Sequence, residues 1–390
     1  MAKVNSSAVI SAYPEPGLAR LMGGDGAFSS ELSQFTSLHT SGRAALYHAC
    51  RAIRAVSDAP VWMPAFHCGV EVQAALDAGI RVQFYPVESS LEIRLSSFIS
   101  LWRRDPGHLL VIHYFGFGQG RLSRFAEELA GRRLLLIEDC AHALFSSPGG
   151  RQVGDNAPVS IFSLRKSLPL FHGGGLRCQP HAWADAGYEP PAVPGLLPSS
   201  RTAMLQAARQ QVVRWAGTRA VSVVRRFRGK PAFDAGTLTP PNLNADRLRD
   251  ENISGLCRRV AASADPQAVV ETRRRNYLLL DGELAQHRHY NPVFGSLADG
   301  VCPLCLPMIV SGREQFLRAM WASKIVPFVF GAYAHPLLPE VMQRSHSILR
   351  DSIVGLPIHQ QLSIAQIQRI ARAVAPVLNK HRLGDRIPNA

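Results

Sequence analysis

The sequence predicts an α/β protein: a mostly parallel central sheet covered by helices on both faces, followed by a smaller α/β unit. Three observations carry this. Short apolar runs with no helical period stand at 61–64, 82–87, 109–114 and 134–138, and strands buried on both faces have that character. Helical patterns separate these runs, as the crossovers of a parallel sheet require. Polar, chemically capable residues follow several of the runs, and ligands of open α/β sheets bind at the carboxyl ends of the strands.

Residues 1–34 carry Pro14, Pro16 and a turn at 23–26, and read as an entry segment with one short helix. Thr40, Ser41, Gly42 and Arg43 precede a stripe of Leu46, Ala49, Cys50, Ile53 and Val56, which is helical in period. Thr40 or Ser41 can cap that helix, and Gly42 lets the backbone approach a ligand. A helix start of this kind favours an anion. A strand at 61–64, a helix over 70–78 and strands at 82–87 and 109–114 follow, then a helix over 121–130 and a strand at 134–138. Another apolar run, 159–164, leads through Pro169 to a turn of three glycines, Gly173, Gly174 and Gly175. Four prolines in 188–199 mark a connector. Helical patterns then cover 246–262 and 266–286, and 303–310 reads as a strand. A helix capped by Ser311, a strand and a last helix capped by Ser363 complete the chain. The expected division is a large domain over 1–240 and a smaller one over 241–390.

Two strand ends carry the chemistry. Asp139 follows one run, and Lys166 follows the next, 27 residues later. Pyridoxal phosphate (PLP) needs such a pair. A lysine amine condenses with its aldehyde, and a carboxylate keeps its pyridine nitrogen protonated, so that the ring acts as an electron sink. His142, three residues after Asp139, can reach the phenolic oxygen of that cofactor, and Ser163, three before Lys166, can bring a hydroxyl to its phosphate. Asp or Lys alone would read as a helix cap or a solvated side chain; together at strand ends they read as a site.

These residues also carry a resemblance. The segment IEDCAHA (137–143) resembles the IEDAAQA motif of the DegT/DnrJ/StrS family of PLP-dependent aminotransferases, many of which make amino sugars. SLRKSLPLFHGGGL (163–176) resembles the SLRKTLP branch of that family. The likeness is good over residues 35–180 and loose beyond. It implies fold-type I architecture: a large domain built on a mostly parallel, seven-stranded sheet, with a smaller C-terminal α/β domain. Lys166 matches the lysine that holds the cofactor, and Asp139 the acid at the pyridine nitrogen. His142 falls where most members have Gln. Ser41, Gly42 and Arg43 match the SGT segment that cradles the phosphate, with Arg43 replacing Thr. His67 and Cys68 occupy the neighbourhood of the residue that stacks on the ring, and the resemblance leaves open which of them does so. His113 ends a strand beside the cofactor, while His335 and His359 fall near substrate-side segments; all three are candidate substrate contacts. Asn252 or Ser254 matches a polar residue that reaches the partner's phosphate site. The resemblance further implies a homodimer, an amino donor such as Glu or Gln, and a keto-sugar acceptor, nucleotide-linked, in polysaccharide or secondary-metabolite biosynthesis. Two rivals stay open: dehydratase or lyase chemistry on the same scaffold, against whose lysine-free members the retained Lys166 argues, and a non-catalytic regulatory protein of this fold.

Bulk properties set the bounds. The 390 residues are 46% hydrophobic, enough for a substantial core. No apolar run reaches the length of a membrane span, and the N-terminus lacks the pattern of a secretory signal, so a cytoplasmic protein is expected. The seven cysteines are scattered, which suits reduced thiols. Cys302 and Cys305 have no second pair nearby to complete a zinc site and read as buried structural residues; no metal is expected. The net charge of +14 favours anionic partners. Residues 201–230 hold eight Lys or Arg and no acid at near-helical apolar spacing. The segment reads as a solvated basic helix or as one that docks on an anionic surface; nucleic acid is not expected as a partner.

Overall fold

A computed structural model describes residues 9–16, 27–120, 122, 127–128, 131–155, 157–185, 187–189, 195–198 and 249–380. The basic segment 201–230, the expected boundary at 240, and most of the expected helix over 121–130 lie outside the described residues.

Seven strands form the main sheet: β1 (Ser37–His39), β2 (Val61–Pro64), β3 (Val82–Tyr85), β4 (His108–Ile112), β5 (Leu136–Asp139), β6 (Val159–Phe162) and β7 (Gly174–Cys178). Their order is β1-β7-β6-β5-β4-β2-β3. The pairs from β6 across to β3 are parallel, and β7 runs antiparallel to both β6 and β1. The expected mostly parallel sheet of seven strands is present. Side chains alternate faces along each strand. In β4, Leu110 and Ile112 enter one core while Leu109 and Val111 enter the other. Val61 and Met63 oppose Trp62 in the same way along β2. Both faces are therefore covered, which is why these strands show no polar alternation in the sequence.

Helix α1 is Phe28–Leu32 and α2 is Gly42–Val56. The Ser41 side chain caps α2, accepting from the Ala44 N–H at 3.1 Å. Helix α3 (Val70–Asp77) links β2 to β3, and α4 (Leu95–Trp102) links β3 to β4. A short turn, α5 (Leu164–Ser167), follows β6, and α6 (Pro180–Asp185) follows β7. The C-terminal half contributes α7 (Gly255–Ala262), α8 (Pro266–Ala285) and α9 (Arg313–Ala322), then α10 (Glu340–Ser345), α11 (Ser347–Ser352) and α12 (Ile364–Lys380). Strands β8 (Cys305–Ile309) and β9 (Ile353–Pro357) pair antiparallel in a second sheet. Ile10 of the entry segment pairs with Lys324 and Val326, so one end of the chain is tied to the other.

The structure corrects several expected elements. The three glycines do not form a turn. Gly174 and Gly175 begin β7, where a Cβ on Gly174 would lie 2.2 Å from the Ser41 carbonyl and one on Gly175 would meet the Phe35 ring at 2.5 Å. Glycine is needed there for close approach of the backbone under the start of α2. Of the helix expected over 246–262, residues 246–248 lie outside the described residues; in the rest the helix starts at Gly255, where the Ser254 side chain caps it at the Cys257 N–H. Gly312, in the left-handed region at φ 66°, precedes α9 in place of the expected cap Ser311. At the last helix Ser363 and Gln366 exchange side chain-to-backbone bonds, a capping box. Cys302 and Cys305, just before and at the start of β8, are both buried and unbridged.

Candidate active site

Adjacent parallel strands β4, β5 and β6 end in register, with Ile112 beside Asp139 and Asp139 beside Ile161. The carboxyl end of β6 continues through Ser163 into α5, which carries Lys166. The Lys166 N–H bonds the Ser163 carbonyl at 3.2 Å and the Leu168 N–H bonds that of Leu164 at 2.8 Å. A single helical turn leaves its carbonyls without helical partners. Here a buried arginine from α8 supplies them. Arg273, 1% exposed, donates to the carbonyls of Ser167 at 3.1 Å, Lys166 at 3.5 Å and Pro303 at 3.2 Å, and to Gln360 Oε1 at 2.9 Å. Gln360 also donates to the Ser167 carbonyl, at 2.8 Å. The turn that bears Lys166 is thus held by residues about a hundred and two hundred positions away in sequence, which no local pattern announces.

Asp139 is buried at the end of β5, and its Oδ1 accepts the Ala141 N–H at 2.9 Å. Burial pushes its carboxyl up to about 6, and the charge of Glu71 adds to that; the Ala141 N–H and Lys166 pull the other way. Burial also lowers the Lys166 amine, against the neighbouring acidic groups Asp139 and Glu71. Glu71 is a member of the site that the sequence reading missed. It is buried in the first turn of α3, where it receives the Cys68 thiol at 3.0 and 3.1 Å. Burial, then the charge of Glu71, keeps that thiol well above its usual range and therefore protonated.

His67 and Cys68 part company after β2. The His67 ring is fully buried and stacks on Phe84 of β3 at 5.6 Å, and its Nδ1 accepts the Gly69 N–H at 3.0 Å. Cys68 is the member of the pair whose thiol lies near enough to Lys166 to feel its charge. His142 is buried and stacks on Phe115 at 5.9 Å, with Phe330 edge-on at 4.9 Å. Burial, then the Lys166 charge, holds its imidazole well below the usual range, so it is neutral. Its Nδ1 accepts the Phe115 N–H at 3.2 Å. That assigns the ring proton to Nε2, which makes His142 a donor there.

Three candidate substrate contacts are not brought to this cluster. Strand alternation turns Glu138 to the face opposite Asp139, and His113 goes with it: Nε2 bonds Glu138 at 2.8 Å and Nδ1 accepts the Gln119 N–H at 3.1 Å. His335 bonds Gln73 at 3.3 Å and caps the Leu337 N–H at 3.2 Å. His359 bonds the Ser11 carbonyl at 3.2 Å and joins the entry segment to the loop before α12. Asn252 bonds the Ile253 N–H at 2.8 Å, and Ser254 caps α7.

Residues 33–179 match the DegT/DnrJ/EryC1/StrS aminotransferase family. Over that stretch the chain is similar to that family. No curated protein sequence matches the chain. Among solved structures, PseC of Helicobacter pylori, an aminotransferase involved in pseudoaminic acid biosynthesis, superposes with a TM-score of 0.66 at 14% identity, over 95% of this chain and 99% of its own. The aminotransferase TlmJ of Streptoalloteichus hindustanus gives 0.64 at 17% identity, over 95% and 98%. Spr1654 of Streptococcus pneumoniae in its PLP form gives 0.63 at 14%, over 94% and 98%. At these identities the likeness establishes the fold alone.

The residues present fit PLP. Lys166 offers an amine to the aldehyde, Asp139 an anion to the ring nitrogen, and His142 a neutral N–H to the phenolic oxygen. The start of α2 lies against Ser163, and a Cβ on Gly42 would stand 3.2 Å from the Ser163 Cβ and 3.3 Å from the Phe162 carbonyl. That leaves a helix N-terminus and a serine side by side, a cradle suited to a phosphate. Ser41 and Arg43 flank it.

Proposed function

We propose that this protein is a PLP-dependent aminotransferase that moves an amino group from an amino acid, glutamate or glutamine, to a keto sugar carried on a nucleotide. The observation that carries the reading is the meeting of Lys166 and Asp139 at neighbouring strand ends, with Glu71, Cys68 and His142 around them. The cofactor, when bound, supplies an electron sink that stabilises charge at the carbon losing its proton. The chain's residues do the rest. Burial lowers the Lys166 amine, which raises its unprotonated fraction and suits it to attack an aldehyde and then to carry the substrate proton. Asp139 holds a proton on the ring nitrogen. His142 donates from Nε2, and the α2 start with Ser163 anchors the phosphate. A homodimer in the cytoplasm fits this reading, as do the net charge of +14 and an anionic nucleotide sugar.

The direct test is purified protein with PLP, each amino donor and a panel of keto nucleotide sugars, read by the mass of the product. Conversion of a keto group to an amine with matched loss of donor supports the reading. Donor-independent loss of water from the sugar would instead indicate dehydratase chemistry.

Asp139→Asn is expected to retain the cofactor yet lose roughly a hundredfold or more in turnover. A buried charge deprived of its partner costs about 3–5 kcal/mol, and each 1.36 kcal/mol is tenfold in rate. Turnover within threefold of the parent protein would remove Asp139 from the mechanism.

A further inference from the structure

Arg350 lies in α11, 5% exposed. Its hydrogen bonds among the described residues go to main-chain carbonyls. Nη1 donates to Gly331 at 2.8 Å, Tyr333 at 3.0 Å and His67 at 3.4 Å, and Nη2 donates to Ala65. These acceptors sit on two separate loops. Ala65 and His67 belong to the loop that leaves the carboxyl end of β2 and delivers Cys68. Gly331 and Tyr333 follow Phe330, whose ring packs edge-on against His142. The Tyr333 ring also covers Gly69, so closely that a Cβ there would stand 2.7 Å from it. One guanidinium therefore joins the two loops that flank the Lys166 cluster.

The choice of arginine is physical. Acceptors spread over two loops need donors fixed in a planar fork, whereas an ammonium concentrates its donors at one point on a flexible stem. Buried carbonyls left without donors are costly, so the loops have a reason to stay where the guanidinium holds them. The charge also matters to the site. Burial lowers the Arg350 pKa while Glu71 is among the anions that raise it, so the arginine and Glu71 sense each other across the 65–68 loop.

We propose that Arg350 is a positioning residue of the active site, locking the 65–68 loop to the 331–333 loop and so fixing Cys68 and Glu71 relative to Lys166. The inference rests on the reading of Lys166 as the working lysine, but its test does not use turnover. Cys68 reports the position of its loop, and the buried thiols Cys50, Cys140, Cys257, Cys302 and Cys305 report the rest of the fold. Full-length protein without added cofactor is treated with iodoacetamide, and each cysteine is followed by peptide mass spectrometry in the parent, Arg350→Gln and Arg350→Lys. The lysine variant keeps a buried cation and guards against a glutamine variant that fails to fold. The expected result is labelling of Cys68 accelerated roughly tenfold in both, since each 1.4 kcal/mol of lost fixation is tenfold, with the five buried thiols unchanged. Unchanged labelling of Cys68 overturns the proposal. Equal acceleration at all six overturns it too, because Arg350 would then support the whole fold and not this loop. Borohydride mapping of the lysine that takes the cofactor is independent of these outcomes, so failure of the functional reading is distinguishable from failure of this one.

Discussion

Lys166→Ala is expected to abolish covalent capture of PLP and to reduce transamination at least about a thousandfold, since positioned proton transfer alone contributes roughly 10²–10⁴. The measurement is unusually clean in this chain. It has five lysines, Lys3, Lys166, Lys230, Lys324 and Lys380, among 43 basic residues. Borohydride reduction of the protein with PLP, followed by peptide mapping, has few places to put the adduct. Among the described lysines, Lys166 stands at a strand end beside a buried carboxylate, and burial lowers its amine toward the unprotonated form that attacks an aldehyde. Lys324 is held in a left-handed conformation at φ 59° in the turn after α9. An adduct on another lysine in the parent protein, or one surviving in the alanine variant at the same yield, would remove Lys166 from its assigned role. Arg273→Gln offers a milder companion. It leaves the lysine in place and withdraws the donors that hold its turn, so adduct formation should slow without moving to another lysine.

What the sequence could disclose follows from how far each contact reaches. Strands β2, β4, β5 and β6 were legible because burial on both faces leaves uninterrupted apolar runs, and Asp139 and Lys166 were legible because they follow two of them. The same uniformity hid the facing of side chains. Nothing in the run before Glu138 shows that it turns away from Asp139, and so His113 read as a neighbour of the site when it is the partner of Glu138 on the other face. Glycine carries two meanings, a turn or a close approach, and at Gly174 and Gly175 the second applies. Glu71 was silent because an acid in the first turn of a helix is ordinary. Its role arises from Cys68 and Lys166 meeting it in space. Arg273, Gln360 and Arg350 act on main-chain carbonyls, a kind of contact with no side-chain signature on the receiving side. His67 and Cys68 could not be separated by sequence, since which of two adjacent residues faces the cluster depends on the loop geometry after β2.

Lowering the pH from 6.5 to 5 is expected to remove several kcal/mol of folding stability, a large share of the total for many domains. Buried histidines held below their usual range drive it, His67 and His142 among them. Burial pushes His39 down to about 3, with the charge of His48 adding to the effect. Burial alone holds His108 at about 4. His359 is held at about 3 by burial and then by the Arg273 charge. In the unfolded chain each would titrate near 6.5. Folded pKa values below unfolded ones mean that the unfolded state binds more protons, so stability falls as the pH falls. The loss begins at about 6.5 and continues until the folded pKa is reached. Each group contributes up to about 1.4 kcal/mol per pH unit, and less near 6.5, where the unfolded imidazole is only half protonated, so His39, His108 and His359 together lose about 5 kcal/mol over the window. Asp139 acts with the opposite sign. Its carboxyl is raised to about 6 in the fold, so it gains a proton before the unfolded chain does and returns only about 1.4 kcal/mol by pH 5. Urea denaturation at pH 7.5, 6.5, 5.5 and 5 measures the net slope. A midpoint that stays flat from 6.5 to 5 would show that these histidines take up protons in the folded protein. His108→Gln should reduce the slope, because it removes one of the contributors, and the glutamine amide oxygen can still accept the Leu135 N–H that His108 Nδ1 receives at 3.1 Å.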